Sequence, residues 1–425
     1  MERKRAAESW IPAMRLPDGS LVSDVDGICQ SWVDYYSSLF SAGHTDPGTQ
    51  SSLLAGLSSK LPDEARLSCE GLLSVQEVHT ALVGLSRGRS PGSDGLPMEF
   101  YLTFWDTIGP DLTDVLNDSW ETGQLSPSQR TALITLIFKK GDRLLNVLHH
   151  VIHRNQTCGV KGRFIGENVA LLRDIVDFTS ETGQPAAILS LRQEKAFDRV
   201  DWVFLFKTLD HMGFGPSFVK WVRLFYNNIR SAVLVDGYRS AFFFPSRGVR
   251  QGCPLSPLLY VISIEILAAA LRSCPDILGL KAPGLAVHLP TVSLYADDTS
   301  VVVSNDAAIR AVFSVYSRFE LGTGSKLNTD KCRGLWLGVW RGRHHSPVAI
   351  QWSSDKVKIL GVFVGHRDLA MANWLPRLEA VEKCLASWKG RALSFAEKAI
   401  VLNALALSRI WYVASLVHLP PLGPY

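Results

Sequence analysis

The chain has 425 residues, 47% of them hydrophobic and 20% charged, with a formal net charge of +4 at neutral pH. That balance excludes a disordered chain, and the length suffices for two or three domains with real cores. The mild positive charge permits a nucleic-acid partner without demanding one.

Residues 1–88 read as mostly helical with loop breaks, because Trp32, Tyr35, Tyr36, Leu39 and Phe40 recur at helical spacing. Ser74 with Glu77 has the spacing of a capping box and predicts a helix running to Leu85. A loop dense in breakers and bases follows over 87–97, where glycines let backbone approach phosphate and arginines supply charge. A long turn would look the same. Residues 131–138 alternate and predict a strand, 139–143 turn the chain, and 144–153 read as a short connector. A helix is expected over 168–182, an apolar strand over 186–191, and a helix after it with Phe197 and Val200 among its apolar positions. Residues 231–244 read as a strand pair turning at Asp236-Gly237. The most apolar stretch, 255–271, contains Glu265 and falls short of a comfortable membrane span, so it reads as a buried helix. A helix over 307–319, a strand over 357–364 and a nearly uninterrupted helical region over 374–417 complete an α+β pattern.

Seven cysteines lie far apart, which argues against a disulfide framework or a zinc knuckle and fits a reducing compartment. Met1-Glu2-Arg3-Lys4-Arg5 precedes no apolar run. The expected location is therefore intracellular, in nucleus or cytoplasm, with no secretion and no membrane partner.

The chemistry-bearing feature is Tyr295-Ala296-Asp297-Asp298, set between Val292-Ser293-Leu294 and Val301-Val302-Val303. It reads as a β-hairpin with two adjacent carboxylates at its tip. Nucleotidyl transfer uses two Mg2+ ions about 4 Å apart, held by two or three carboxylates from neighbouring strands. A lone Tyr-x-Asp-Asp is more often a solvated turn, so its weight depends on its companions. These are Lys195-Ala196-Phe197-Asp198, the loop Arg247-Gly248-Val249-Arg250-Gln251-Gly252-Cys253-Pro254, Lys326-Leu327-Asn328-Thr329-Asp330-Lys331 and Ile359-Leu360-Gly361-Val362-Phe363, in that order around the hairpin.

Taken together, the ordered motifs from the loop at 90–100 to the segment 388–412 resemble the reverse transcriptase domain of non-LTR (LINE-type) retrotransposons. The resemblance implies a right-hand polymerase. Residues 1–88 would be a helical segment preceding it, 89–185 the fingers, 186–335 the palm with the hairpin, and 336–425 the primer grip and a truncated helical thumb. Asp297 and Asp298 would be catalytic metal ligands for two Mg2+ ions. Phe197 would lie beneath the incoming sugar, Gln251 in the nucleotide pocket, and Lys331 toward the triphosphate. Leu360 and Gly361 would form the primer grip. The implied partners are an RNA template, a DNA primer and deoxynucleoside triphosphates.

The chain departs from that pattern in three places. Arg192 stands where the family has the first palm aspartate, and a guanidinium stays protonated and cannot ligate Mg2+. Asp198 lies six residues on, roughly 9 Å along a helix axis, too far to substitute. Glu194 is nearer. Second, ten residues, 144–153, stand where the family carries a further strand and helix. A weakened fingers region is expected, because a lost strand leaves its neighbour's backbone groups unpaired. Third, the family's endonuclease and its sequence after the thumb fall outside these residues, so self-contained retrotransposition is not expected. On the residues alone four readings stay open. They are an impaired reverse-transcriptase-like domain, an active RNA-directed DNA polymerase using Asp297 and Asp298, a nucleic-acid-binding module, and a non-functional relic of an element.

Overall fold

The computed structural model describes residues 11–16, 18–85, 95–127, 129–130, 141–250, 253–281, 288–289, 291–367 and 369–420. The chain folds as two compact units that interleave in sequence. One comprises Met1–His153, Glu194–Leu267 and Arg318–Lys326; the other comprises Arg154–Gln193, Ala268–Ser317 and Leu327–Tyr425.

The first unit is mainly helical. Helix Val25–Leu39 starts at Asp24, whose carboxylate accepts from the Gly27 N–H, satisfying one free donor of the first turn. Trp32 stacks on Tyr36, and Tyr36 on Phe40, which is the expected aromatic face. Helix Val75–Val83 carries the Ser74–Glu77 capping box with both reciprocal bonds formed and ends two residues before the predicted Leu85. Val78 packs with Leu116 of helix Trp105–Thr122 and with Trp221 and Leu224 of helix Pro216–Tyr226. Asp236 and Gly237 both have positive φ, 50° and 89°. They turn the short strands Leu234–Val235 and Tyr238–Arg239 as predicted.

The connector expected over 144–153 is instead helix Gly141–Val151. Leu144, Val147, Leu148 and Val151 fall at helical spacing and are buried, so an apolar stripe holds the segment in helical form. The strand expected over 131–138 lies outside the described residues. Helix Ser256–Ser273 is long and apolar enough to cross a membrane, but 78% of it is buried and Glu265 is only 1% exposed. Those values fit the predicted core helix.

The second unit is built on one five-stranded sheet. Its spatial order is Gln351–Ser353, Arg333–Leu337, Ala186–Arg192, Asp298–Val303 and Thr291–Tyr295. The pairings are antiparallel except for the parallel edge pair of Gln351–Ser353 with Arg333–Leu337. Every residue of the central strand is buried except Arg192 at its end. Such a strand reads as a continuous apolar run because both faces are covered. On one face Ala186 and Ile188 join Val302 and Leu335 under Val169, Leu172 and Val176 of helix Ile165–Thr182.

Two expectations change here. The single strand over 357–364 is a hairpin, Lys356–Ile359 with Val362–Gly365, turned by Leu360 and Gly361. Both turn residues have positive φ, 48° and 83°. That geometry is easy for Gly361 and strained for Leu360. The Tyr412 hydroxyl donates to the Leu360 carbonyl, and the buried Leu360 side chain joins the core, so packing holds the strained turn. The helical region over 374–417 is likewise broken. Helix Ala370–Trp388 ends, helix Phe395–Ile400 restarts at a Ser394–Glu397 capping box, and Val401–Ala406 widens into a π-type turn.

Trp336 is 1% exposed and stacks on Trp352 with centroids 3.7 Å apart. Arg343 lies over the Trp336 and Trp340 rings and donates to both Asp306 oxygens at 2.8 and 2.5 Å. These bonds hold the Asp306 carboxyl below its ordinary value of 3.8. A carboxyl depressed by folding adds stability above its unfolded pKa, and loses it as pH falls through the folded value. Arg343→Ala should therefore cost about 1–3 kcal/mol at neutral pH. The deficit should shrink as pH drops below the ordinary carboxylate value, as read by urea melts at a series of pH values. A deficit that stays constant through that acid window would contradict the pairing.

Candidate active site

The predicted hairpin forms. Tyr295 and Asp298 are its closing pair, which leaves Ala296 and Asp297 as the two turn residues. Val301, Val302 and Val303 are fully buried behind it. Ala296 has φ 51°, a left-handed conformation that alanine adopts only under constraint. The constraint is Gln156, a residue the sequence did not single out. Its Oε1 accepts from the Ala296 N–H at 3.1 Å, and its Nε2 donates to the Ala296 carbonyl at 3.4 Å. Gln156 is 1% exposed, and its Oε1 also accepts from the Cys158 N–H. Beside it, Asn168 donates to Ser293 Oγ and to the Leu294 carbonyl at 2.7 and 2.9 Å. No local pattern marks these amides, since the hairpin groups they hold lie more than a hundred residues away.

Truncating Gln156 to alanine should cost about 1–3 kcal/mol, because it strands buried polar groups at a strained turn. Amide exchange at Ala296 should accelerate in the same variant. Unchanged exchange there would show that the clamp does not hold the turn.

Sheet register decides the rest of the site. Arg192 lies directly opposite Asp298 in the antiparallel ladder, so the two side chains leave the same face with Cβ atoms roughly 5 Å apart. Arg192 Nε meets Asp298 Oδ1 at 3.1 Å and Nη2 meets Oδ2 at 3.4 Å, the two-pronged arrangement that suits a guanidinium and a carboxylate. Burial pushes the Asp298 carboxyl above its ordinary value. Arg192 pulls it down, and Asp297 beside it adds to the rise. Asp297 sits half-buried at the turn, with no ion pair among the described residues.

These residues do not fit a pair of divalent ions. Arg192 engages both oxygens of Asp298 and places a cation on the same face of the sheet. Glu194 supplies no replacement, because it is paired with Arg199 at 2.7 Å and Lys326 at 3.5 Å. Among the described residues no cluster of three or more His, Cys, Asp or Glu side chains is placed to hold a metal ion.

The other predicted residues divide. Lys331 and Gly361 share the lining of one cavity with Arg192, while Leu360 turns into the core. Phe197 belongs to the first unit, where it stacks on Tyr260 with centroids 4.4 Å apart. Gln251 lies outside the described residues.

A family model described as reverse transcriptase (RNA-dependent DNA polymerase) matches residues 127–364. The chain belongs to the reverse transcriptase family. The chain is 33% identical over 97% of its length to the Transposon TX1 uncharacterized 149 kDa protein of Xenopus laevis, and it covers 34% of that protein. Over 34% of its length it is 32% identical to the Pol polyprotein of the type-2 retrotransposable element R2DM of Drosophila melanogaster, of which it covers 13%. The chain thus spans about a third or less of these relatives. It carries the reverse transcriptase domain of non-LTR, LINE-type elements, with the mixed helix and sheet architecture of a right-hand polymerase. Apo telomerase from Candida tropicalis aligns with 67% of this chain and 48% of its own, at 13% identity and a TM-score of 0.37.

Proposed function

We propose that this reverse transcriptase domain has kept the palm scaffold and lost metal-dependent nucleotidyl transfer. The observation that supports this is the two-pronged Arg192–Asp298 pair. A permanently charged guanidinium occupies the carboxylate oxygens that two Mg2+ ions would need, and it repels a divalent cation from the same face. By descent the substrate class is an RNA template, a DNA primer and deoxynucleoside triphosphates, acting inside the cell. Reading the domain as an active polymerase with a different third ligand requires a free carboxylate. The commitment of Glu194 to Arg199 and Lys326 speaks against that. Primer extension by the natural chain, Arg192→Asp and Asp297→Ala tests the proposal.

A further inference from the structure

The cavity beside Arg192 is unusual in its charge. It encloses roughly 600 Å³ within the second unit, and five of its lining residues are cations: Arg192, Lys331, Arg333, Lys356 and Lys358. No carboxylate lines it. Asp298 pairs with Arg192 and offsets its charge, which leaves Lys331, Arg333, Lys356 and Lys358 as the cations the lining does not balance, and Asp355 faces Arg367 at 3.6 Å. Lys356 and Lys358 project from the same face of one strand and both lie over the Phe363 ring, 4.9 and 5.8 Å from its centroid. The Arg333 guanidinium is oriented by the Asp330 and Cys332 carbonyls at 2.6 and 2.7 Å. The fold therefore gathers cationic side chains from three separate segments around a space of nucleotide size. Gathering like charges costs energy unless an anion neutralises them.

We infer that this cavity is a metal-independent site for a phosphate monoester, either the terminal phosphate of a nucleic-acid strand or that of a free nucleotide. A dianionic terminal phosphate offers three acceptor oxygens, which matches a mixed arginine and lysine lining. A hydroxyl terminus offers no charge to it. This inference rests on the reading that Arg192 has replaced metal chemistry on this face. With an aspartate there the cavity would lose one cation and gain one anion.

The test is fluorescence anisotropy in EDTA with a labelled single-stranded decamer, ending in either a 3′-phosphate or a 3′-hydroxyl. The phosphate-ended strand should bind about tenfold more tightly than the hydroxyl-ended one. The double variant Lys356→Glu/Lys358→Glu should erase that preference, and the milder Lys358→Gln should reduce it, with melts confirming the fold of both. Release of the strand by adenosine monophosphate or inorganic phosphate supports a free-phosphate source. Release only by unlabelled phosphate-ended strand supports a strand end. Equal affinity for both ends, a preference untouched by either lysine variant, or a preference that appears only with Mg2+ would overturn the inference. Because the assay contains no metal, its outcome is independent of primer extension. Extension by the natural chain would sink the loss of catalysis, whereas a missing phosphate preference would sink this site alone.

Discussion

With an RNA template, a DNA primer, Mg2+ and four deoxynucleotides, the natural chain is expected to extend no further than its Asp297→Ala variant. Arg192→Asp is expected to raise extension by roughly a hundred- to a thousandfold, since metal stabilisation of developing charge is worth several kcal/mol and each 1.36 kcal/mol is tenfold in rate. The substitution does two things at one position. It frees both Asp298 oxygens from their 3.1 and 3.4 Å contacts, and it places a third carboxylate opposite Asp298 in the ladder. Arg192→Met separates the two effects, because it frees Asp298 without adding a ligand. It should recover Mn2+ binding weakly, and Arg192→Asp strongly, by electron paramagnetic resonance. Extension by the natural chain that disappears in Asp297→Ala would show that the guanidinium is tolerated. Recovered Mn2+ binding without extension in Arg192→Asp would place the cause of inactivity outside the carboxylates and turn attention to the segment of helix Gly141–Val151.

That segment bears the second large expectation. Leu148 is fully buried in helix Gly141–Val151, so Leu148→Ala should cost about 2–5 kcal/mol through lost burial and the cavity left behind. Leu148→Asp should abolish cooperative folding, because an unpaired carboxylate in that position has no compensating partner. Asn146, exposed on the opposite side of the same helix, supplies the control, and Asn146→Ala should stay within about 0.5 kcal/mol. Urea melts decide between the outcomes. If Leu148→Ala melts like Asn146→Ala, the helix is an unpacked connector, as the sequence suggests.

How far each feature is legible in the sequence depends on whether its cause is local. The Ser74–Glu77 capping box, the Asp236-Gly237 turn and the carboxylate-tipped hairpin are legible because neighbouring residues determine them. The buried character of Ser256–Ser273 follows from a charged residue within an apolar run. The helix Gly141–Val151 is harder to read, because so short a run holds too few turns for its apolar stripe to stand out. The hairpin at Leu360-Gly361 is hidden because leucine is a poor residue for a positive φ, and only a distant tyrosine and the core explain it there.

By itself the sequence determined the class of the protein and the identity of the residue at 192. The ordered motifs and the arginine at 192 are chemical facts that need no coordinates. It could not determine what Arg192 does to its neighbours. One step of strand register would have turned the guanidinium to the other face of the sheet, away from Asp298. The long-range pairing of Ala186–Arg192 with Asp298–Val303 makes it the partner of Asp298. The same closure of the sheet sets it beside cations contributed by segments more than a hundred residues away. Such contacts arise only when the chain closes on itself, because local propensity constrains a residue's conformation and leaves its distant neighbours undetermined.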